Sequence, residues 1–323
     1  VRLSSWLWRR LIDIDVSYCH LVRVMNARTP FSSDVEAAAL SGKPGAGRRT
    51  PAGHEIKVRD LRFGRAGKRP RWWLNNDPVA TAWFNALSGT FPRGEAYFIE
   101  SVKAHRDGAP PRLAEEIRAF TIQEINHTRE HVAFNRIAAE AGYDMARIDR
   151  HVEEMMALLD GRPKILDLAA TMALEHFTAM MAHEFLTKPR HFAGADPEVA
   201  AMWRWHAIEE IEHKAVAFDT YLHATRDWSG WRRWRLRTVM MLVVTKNFIA
   251  HRVADTLDLL GQDGIPRGQA RRRLLAYLFW KPGVLRRILP AWFSYLLPGF
   301  HPWDTDDRAL ISAVEQELRT VAR

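Results

Sequence analysis

Two Glu-x-x-His tetrads, Glu124-Ile-Asn-His127 and Glu210-Ile-Glu-His213, are the residues of this chain best suited to chemistry. On a helix, positions i and i+3 lie on one face, so each tetrad offers a carboxylate and an imidazole to the same cation. The tetrad alone is weak: with 14 His and 19 Glu in 323 residues, about 0.8 such pairs arise by chance. Its surroundings strengthen it. Each tetrad follows a solitary glutamate on the preceding helical stretch, Glu95 lying 29 residues before Glu124 and Glu175 lying 35 before Glu210. One helix hairpin is thereby repeated twice, as a pseudo-twofold bundle requires.

The same residues interrupt apolar stripes. Alternating steps of four and three give Leu113, Ile117, Phe120, Glu124, His127, His131 and Phe134, then Val199, Trp203, His206, Glu210, His213 and Ala217. Glu175 shares a stripe with Leu168, Met172 and Ala179, and Glu95 one with Phe98, Ile99 and Val102. A lone glutamate on such a stripe is usually a partly exposed residue, and a lone histidine usually a hydrogen-bonded core residue. Four buried carboxylates, however, are tenable only with cations between them. Glu95, Glu124, His127, Glu175, Glu210 and His213 are therefore the predicted metal ligands. Four glutamates balance two divalent ions in charge. Oxygen ligands with one or two imidazoles suit iron, manganese or a mixed manganese–iron pair better than structural zinc. His131 and His206 extend the ligand faces by one turn, as a third nitrogen ligand or as partners behind the ligands. His176 and His183 lie on another face. Glu209 could replace Glu210 only if the helix turned by about 100°, which would displace His213.

These residues need long helices. Helical patterns run from Pro78 to Leu87 and, past breaks at Gly89, Pro92 and Gly94, through Glu95 to His105. Others cover Pro111 to Ala141, 149–159, 164–187, and a stretch from the Asp196-Pro197 start to about Ala224. No run of alternating β-branched residues predicts a sheet. The expected fold is all-α, a ferritin-like four-helix bundle with a crossover connection and additional C-terminal helices. Three parts are expected: an extension and linker over 1–55, the bundle over 56–227, and a basic, Trp/Arg-rich helical region over 228–323.

Composition sets bounds. At 47% hydrophobic residues the chain can build a sizeable core, and wholesale disorder is excluded. The single cysteine, Cys19, excludes an intrachain disulfide framework and any cysteine-built metal site, and fits a reducing cytoplasm. No stretch reads as a secretory signal; Trp6 to Ile14 is amphipathic but short. The net charge of +9 is segregated, with +9 over 1–72, −8 over 73–227 and +8 over 228–323. An acidic middle argues against nucleic acid as the substrate of the core, and no nucleic-acid motif is present.

Phe91-Pro-Arg-Gly-Glu-Ala-Tyr-Phe98, the Glu124–His127 helix, Leu174-Glu-His176, Glu209-Glu-Ile-Glu-His213 and His301-Pro-Trp303 together resemble the bacterial family described as predicted metal-dependent hydrolases. The resemblance covers about 56–303. It implies a ferritin-like fold and the same six ligands. Three functions compete. A diiron pair between four helices would oxidise a bound hydrophobic or lipid-like substrate with dioxygen, drawing on an electron donor. A metal-activated water would hydrolyse an ester, amide or phosphoester. The third is non-catalytic iron or redox handling. In the tail, Trp228, Trp231 and Trp234 interleave with Arg232, Arg233, Arg235 and Arg237, the composition of an interfacial segment. An anionic membrane surface, at the inner face of the plasma membrane, is the expected partner of 228–300; plain packing of these aromatics over the bundle is the competing reading. A homodimer is a further candidate assembly.

Overall fold

Asp77 and Asp196 start two of the helices that matter most. Each side chain caps its helix, Asp77 accepting from the backbone N–H of Val79 at 2.8 Å and Asp196 from Glu198 and Val199 at 3.0 and 3.2 Å. A proline follows each cap, where its missing N–H costs nothing. The computed structural model describes residues 50–63 and 69–321. Cys19, the Trp6–Ile14 segment and most of the predicted linker lie outside the described residues.

The described chain is all-helical, without a strand; one isolated β-bridge joins Leu74 and Ala195. Its helices are α1 (Pro78–Ser88), α2 (Phe91–Lys103), α3 (Pro111–Glu140), α4 (Ala146–Ala157), α5 (Lys164–Thr187) and α6 (Pro197–His213). They continue as α7 (Val216–Ala224), α8 (Gly230–Gln262), α9 (Arg267–Phe279), α10 (Val284–Tyr295) and α11 (Arg308–Val321). Helix α2 packs along α3, and α5 along α6; α2 also packs on α5, and α3 meets α6. Helix α8 covers α1 and α5, α10 lies on α5, and α11 lies on α6.

Helix α5 is apolar all round and long enough to cross a membrane by length and composition, yet 89% of its apolar window is buried inside the protein. Such a helix is a core element, and it carries Glu175. Between α1 and α2, the chain turns at Gly89, where a Cβ would come within 2.9 Å of the Ile148 side chain on α4. A glycine there lets α4 close over the turn that leads to Glu95.

Two expectations are corrected. Pro92 and Gly94 do not break the helix but lie in the first turn of α2, because a proline near a helix start gives up no hydrogen bond. The fourth site helix does not run unbroken to Ala224. It ends at His213, and after a turn at Lys214 and Ala215 the chain resumes as α7. At that break the Lys214 ammonium turns away to donate to Asp307 (2.6 Å) and to the Thr305 carbonyl (2.8 Å). A buried lysine needs these partners, and they lie beyond the helix axis, near the start of α11.

Candidate metal centre

Each predicted residue arrives on its expected helix face. Glu95 comes from α2, Glu124 and His127 from α3, Glu175 from α5, and His206, Glu210 and His213 from α6. All are buried, none more than 4% exposed. They form three overlapping groups whose ligand atoms lie within 4.8 Å of one another: Glu124, Glu175 and His213; Glu95, His127 and His206; and Glu124, His127 and Glu210. Glu124 therefore belongs to two groups, and Glu210 faces residues of all three. His213 Nε2 lies 3.1 Å from Glu124, 3.3 Å from Glu175 and 3.6 Å from Glu210. His127 Nδ1 lies 3.9 Å from Glu124 and 3.7 Å from Glu210.

The chemistry of this donor set fits cations. Among the described residues, eight buried atoms of these six side chains lack a hydrogen-bond partner: Glu95 Oε1, both oxygens of Glu124, His127 Nδ1, both oxygens of Glu175, Glu210 Oε2 and His213 Nε2. Buried polar atoms are nearly always paired, so eight orphans facing one another are an unmet demand for positive charge. The outward atoms of the same residues are satisfied. Glu95 Oε2 accepts from Thr128 at 2.7 Å. His127 Nε2 donates to Glu209 Oε2 at 3.1 Å, which leaves the Nδ1 lone pair facing inward.

His213 is held in the opposite sense, by Gln123. The Gln123 amide nitrogen donates to the Lys57 carbonyl and to Glu212, so its oxygen must be the acceptor for His213 Nδ1 at 2.9 Å. His213 thus turns Nε2 inward, whereas His127 turns Nδ1 inward.

The alternatives left open for His131 and His206 are separated by a chain of hydrogen bonds. Asn135 Nδ2 donates to the Ser88 carbonyl, so Asn135 Oδ1 accepts from the Ser88 hydroxyl at 2.6 Å. Ser88 Oγ, having spent its proton, accepts from His131 Nδ1 at 2.8 Å. Burial, and then its neighbour, hold both imidazoles below the usual histidine range, His206 down to about 4, so each carries one proton near neutral pH. His131 Nε2 must then accept from His206 Nδ1 at 2.6 Å, and His206 Nε2 carries a lone pair. That nitrogen sits 2.7 Å from Glu210 Oε1 and 4.0 Å from Glu95 Oε1. Two facing acceptors at that separation call for a cation between them. The geometry makes His206 a candidate ligand and His131 its support.

Sequence reasoning missed three contributors. Glu209 appeared as a rival to Glu210; it instead accepts from His127 and from Trp205 Nε1 (3.1 Å). Gln123 was not singled out. The short segment 54–59 spans the expected boundary between linker and bundle, and nothing in its sequence marks a role at the site. In fact Lys57 N–H donates to Glu212, while Arg59 donates from its backbone to Glu209 and from its guanidinium to Glu212 at 2.7 and 2.9 Å. An acidic pair one residue off the ligand stripe, Glu209 and Glu212, was the one available signal. His176 and His183 lie away from the centre, bound to the Ala291 carbonyl and to Asp307.

Glu209→Gln is expected to weaken metal binding about 10–100-fold by loosening His127, with little change in fold. Titration with manganese, followed by electron paramagnetic resonance, measures it; unchanged affinity would remove Glu209 from the site.

Electrostatics give a pH dependence. Burial pushes the Glu95 and Glu124 carboxyls well above the usual range, with neighbouring carboxylates adding to it. Burial also raises Glu175, to about 7 against the opposing pull of His213. For His213, burial is outweighed by Glu175 and Glu210, and the imidazole stays protonated well above its usual range. The metal-free centre holds protons where ions would sit, so metal loading must release them. Apparent affinity is therefore expected to rise steeply with pH between about 6 and 8, with roughly two to four protons released per loaded pair. A raised carboxyl pKa favours the fold at low pH, and this contribution is lost as pH rises through about 7 for Glu175. Relative to the metal-free wild type, Glu175→Gln should accordingly gain stability as pH rises from 6 to 8. Calorimetric titration in buffers of differing ionisation enthalpy counts the protons; zero release would contradict these protonation states.

No curated protein and no solved structure matches the chain. A family model described as predicted metal-dependent hydrolase matches residues 57–306. The match starts at the segment that braces Glu209 and Glu212, spans every member of the buried Glu/His cluster, and covers most of the chain. The protein belongs to the family of predicted metal-dependent hydrolases.

Proposed function

We propose that this metal-dependent enzyme holds a dinuclear, diiron-type centre in a ferritin-like bundle and uses it for oxygen-dependent oxidation of a hydrophobic substrate. The bundle consists of the hairpins α2–α3 and α5–α6, joined by the crossover that contains α4. Glu124, Glu175 and His213 would hold one ion and Glu95, His127 and His206 the other, and Glu210 lies within reach of both sets. The observation that carries this reading is the convergence of eight unpartnered donor atoms within a closed helical core. Iron, when bound, supplies redox chemistry toward dioxygen; a manganese or mixed manganese–iron pair is compatible with the same donors. The surrounding side chains do the rest. Phe120 packs edge-on to His213, Trp205 edge-on to His127, and Phe91 lies against His206, with ring centroids 4.8–5.0 Å apart. These rings exclude bulk water from the centre and offer few donors to a stray oxidant. A fully buried centre is reached readily by a small diffusible reactant such as dioxygen.

Hydrolysis is the second reading, favoured by the family's description. There the same glutamates would orient a metal-activated water. One experiment separates the two. Protein loaded anaerobically with about two ferrous ions per chain is exposed to oxygen while absorbance and oxygen uptake are followed; the zinc-loaded protein is offered a panel of esters. A transient chromophore with stoichiometric oxygen uptake is the expected result. Ester turnover by the redox-inert protein, with no response to oxygen, would overturn the oxidative reading. Oxygen uptake that ends in bound ferric mineral would assign iron storage instead.

A further inference from the structure

Large apolar side chains left in solvent are not spread evenly over this protein. Among the described residues, eight of the thirteen most exposed lie between residues 231 and 297: Trp231, Leu242, Leu275, Phe279, Trp280, Leu289, Phe293 and Leu297, with Trp280 at 76% exposure. Contacts join the segments that bear them. Trp231 packs on Trp234, whose Nε1 donates to the Leu296 carbonyl. Trp292 packs on Phe293 and donates to Thr245, one turn from Leu242. Arg286 donates to the Phe279 carbonyl. The N-terminal half of α8, the end of α9 and the outer side of α10 thus form one connected surface.

The charge carried by these segments is basic, with Asp77 and Glu184 of neighbouring elements paired to Arg273 and Arg287. Residues 228–254 and 264–303 contain thirteen Lys and Arg and no Asp or Glu. Arg271, Arg272, Lys281 and Arg286 are exposed beside the apolar residues. In α10 the apolar inner side, Val284, Leu285, Ile288 and Tyr295, is already used in packing, so Leu289 and Phe293 form a second apolar side with no role in the fold. Indole rings, isolated bulky apolar groups and a predominantly basic rim are what the headgroup layer of an anionic bilayer rewards.

We infer that the face made by α8, α9 and α10 docks on an anionic lipid bilayer, with Phe279, Trp280, Phe293 and Leu297 entering the headgroup–acyl boundary. The same helix α10 lies on α5, where His176, next to Glu175, bonds the Ala291 carbonyl. Docking would therefore place the membrane one helix away from α5, which carries a candidate ligand. The inference stands independently of which reaction the metal centre performs.

The 323-residue protein is sedimented with vesicles of phosphatidylcholine alone and of phosphatidylcholine with about 30% phosphatidylglycerol as the chosen probe. Three outcomes are expected. Binding to the anionic vesicles weakens about tenfold or more in Trp280→Ser/Phe293→Ser. It also weakens in Arg271→Glu/Lys281→Glu. Hydrogen exchange across 275–297 slows only when anionic vesicles are present. Because all four positions are exposed, circular dichroism and melting should match the wild type. Absence of binding to anionic vesicles overturns the inference. So does binding that the Trp280/Phe293 variant retains in full, which would mark a purely electrostatic surface of the kind nucleic acid uses. Protection of 275–297 without vesicles overturns it too. Such protection would assign the face to a second copy if the variant also lowers the oligomeric state, or to another part of this chain if the protein stays monomeric.

Discussion

Glu124→Ala is expected to reduce metal loading from about two ions per chain to one or none, while leaving the metal-free protein as stable as before or more so. The two effects have one cause. Glu124 is fully buried, both its oxygens lack partners, and it belongs to two of the three candidate ligand groups. With metal bound, ligation would stabilise the fold by about 4 kcal/mol at a thousandfold excess over Kd, and alanine would forfeit most of that. Without metal, the same carboxyl is a liability. Burial and the neighbouring Glu175, Glu210 and Glu95 push its pKa well above the usual range, although His213 opposes them. Removing an unsatisfied buried group relieves about 1–3 kcal/mol, partly offset by the small cavity left behind. Since a raised carboxyl pKa costs stability as pH rises, the relative gain of the variant should grow between pH 6 and 8. Elemental analysis and thermal unfolding, each with and without manganese, test both halves. A variant that still binds two ions, or that loses more than about 2 kcal/mol without metal, would identify Glu124 as an ordinary structural residue.

Arg59→Met should be the most destabilising single change near the site, at about 3–5 kcal/mol. Its guanidinium bridges Glu212 and Glu209, and the three side chains are 12%, 2% and 0% exposed. Breaking a buried ion pair from one side leaves uncompensated charge in a low-dielectric interior, which costs more than the intact pair is worth. For a unit of this size the loss corresponds to a fall in Tm of roughly 10 °C. The penalty should ease as pH falls, because the stranded carboxyls can then take up protons. Glu209 is already raised to about 7 by burial despite Arg59. The change should also reach the metal centre, since a protonated Glu209 would hold the His127 ring less firmly. Arg59→Lys should recover part of the stability but not the two-point contact with Glu212. A melting point for Arg59→Met within about 2 °C of the wild type would mean that water already screens these carboxylates.

These predictions draw on residues of two kinds, and they differ in how far the sequence reveals them. The six primary candidates were legible because the helical period is a local property. A glutamate set into a stripe of Leu, Ile and Phe must face the core if the stretch is helical at all. Likewise Asp196-Pro197 announced the start of α6, and Lys164–Thr187 kept its expected bounds. The break after His213 was not legible, since nothing in Lys214-Ala215-Val216 disfavours a helix. It accompanies a contact with Asp307, 93 residues onward.

What the sequence by itself determined is therefore the identity and inward direction of Glu95, Glu124, His127, Glu175, Glu210 and His213, together with the all-helical scaffold that carries them. The tertiary structure decided how those residues are held. Glu209 is a rival ligand by sequence alone, and the packing of α3 against α6 makes it the partner of His127 instead. Gln123 and Arg59 gained their roles from partners 90 and 153 residues away. The lone pair on His206 follows from Ser88 and Asn135, on α1 and α3. Periodicity along one helix specifies which way a side chain points. The proton it carries, and the partner behind it, depend on contacts between helices, which no local pattern encodes.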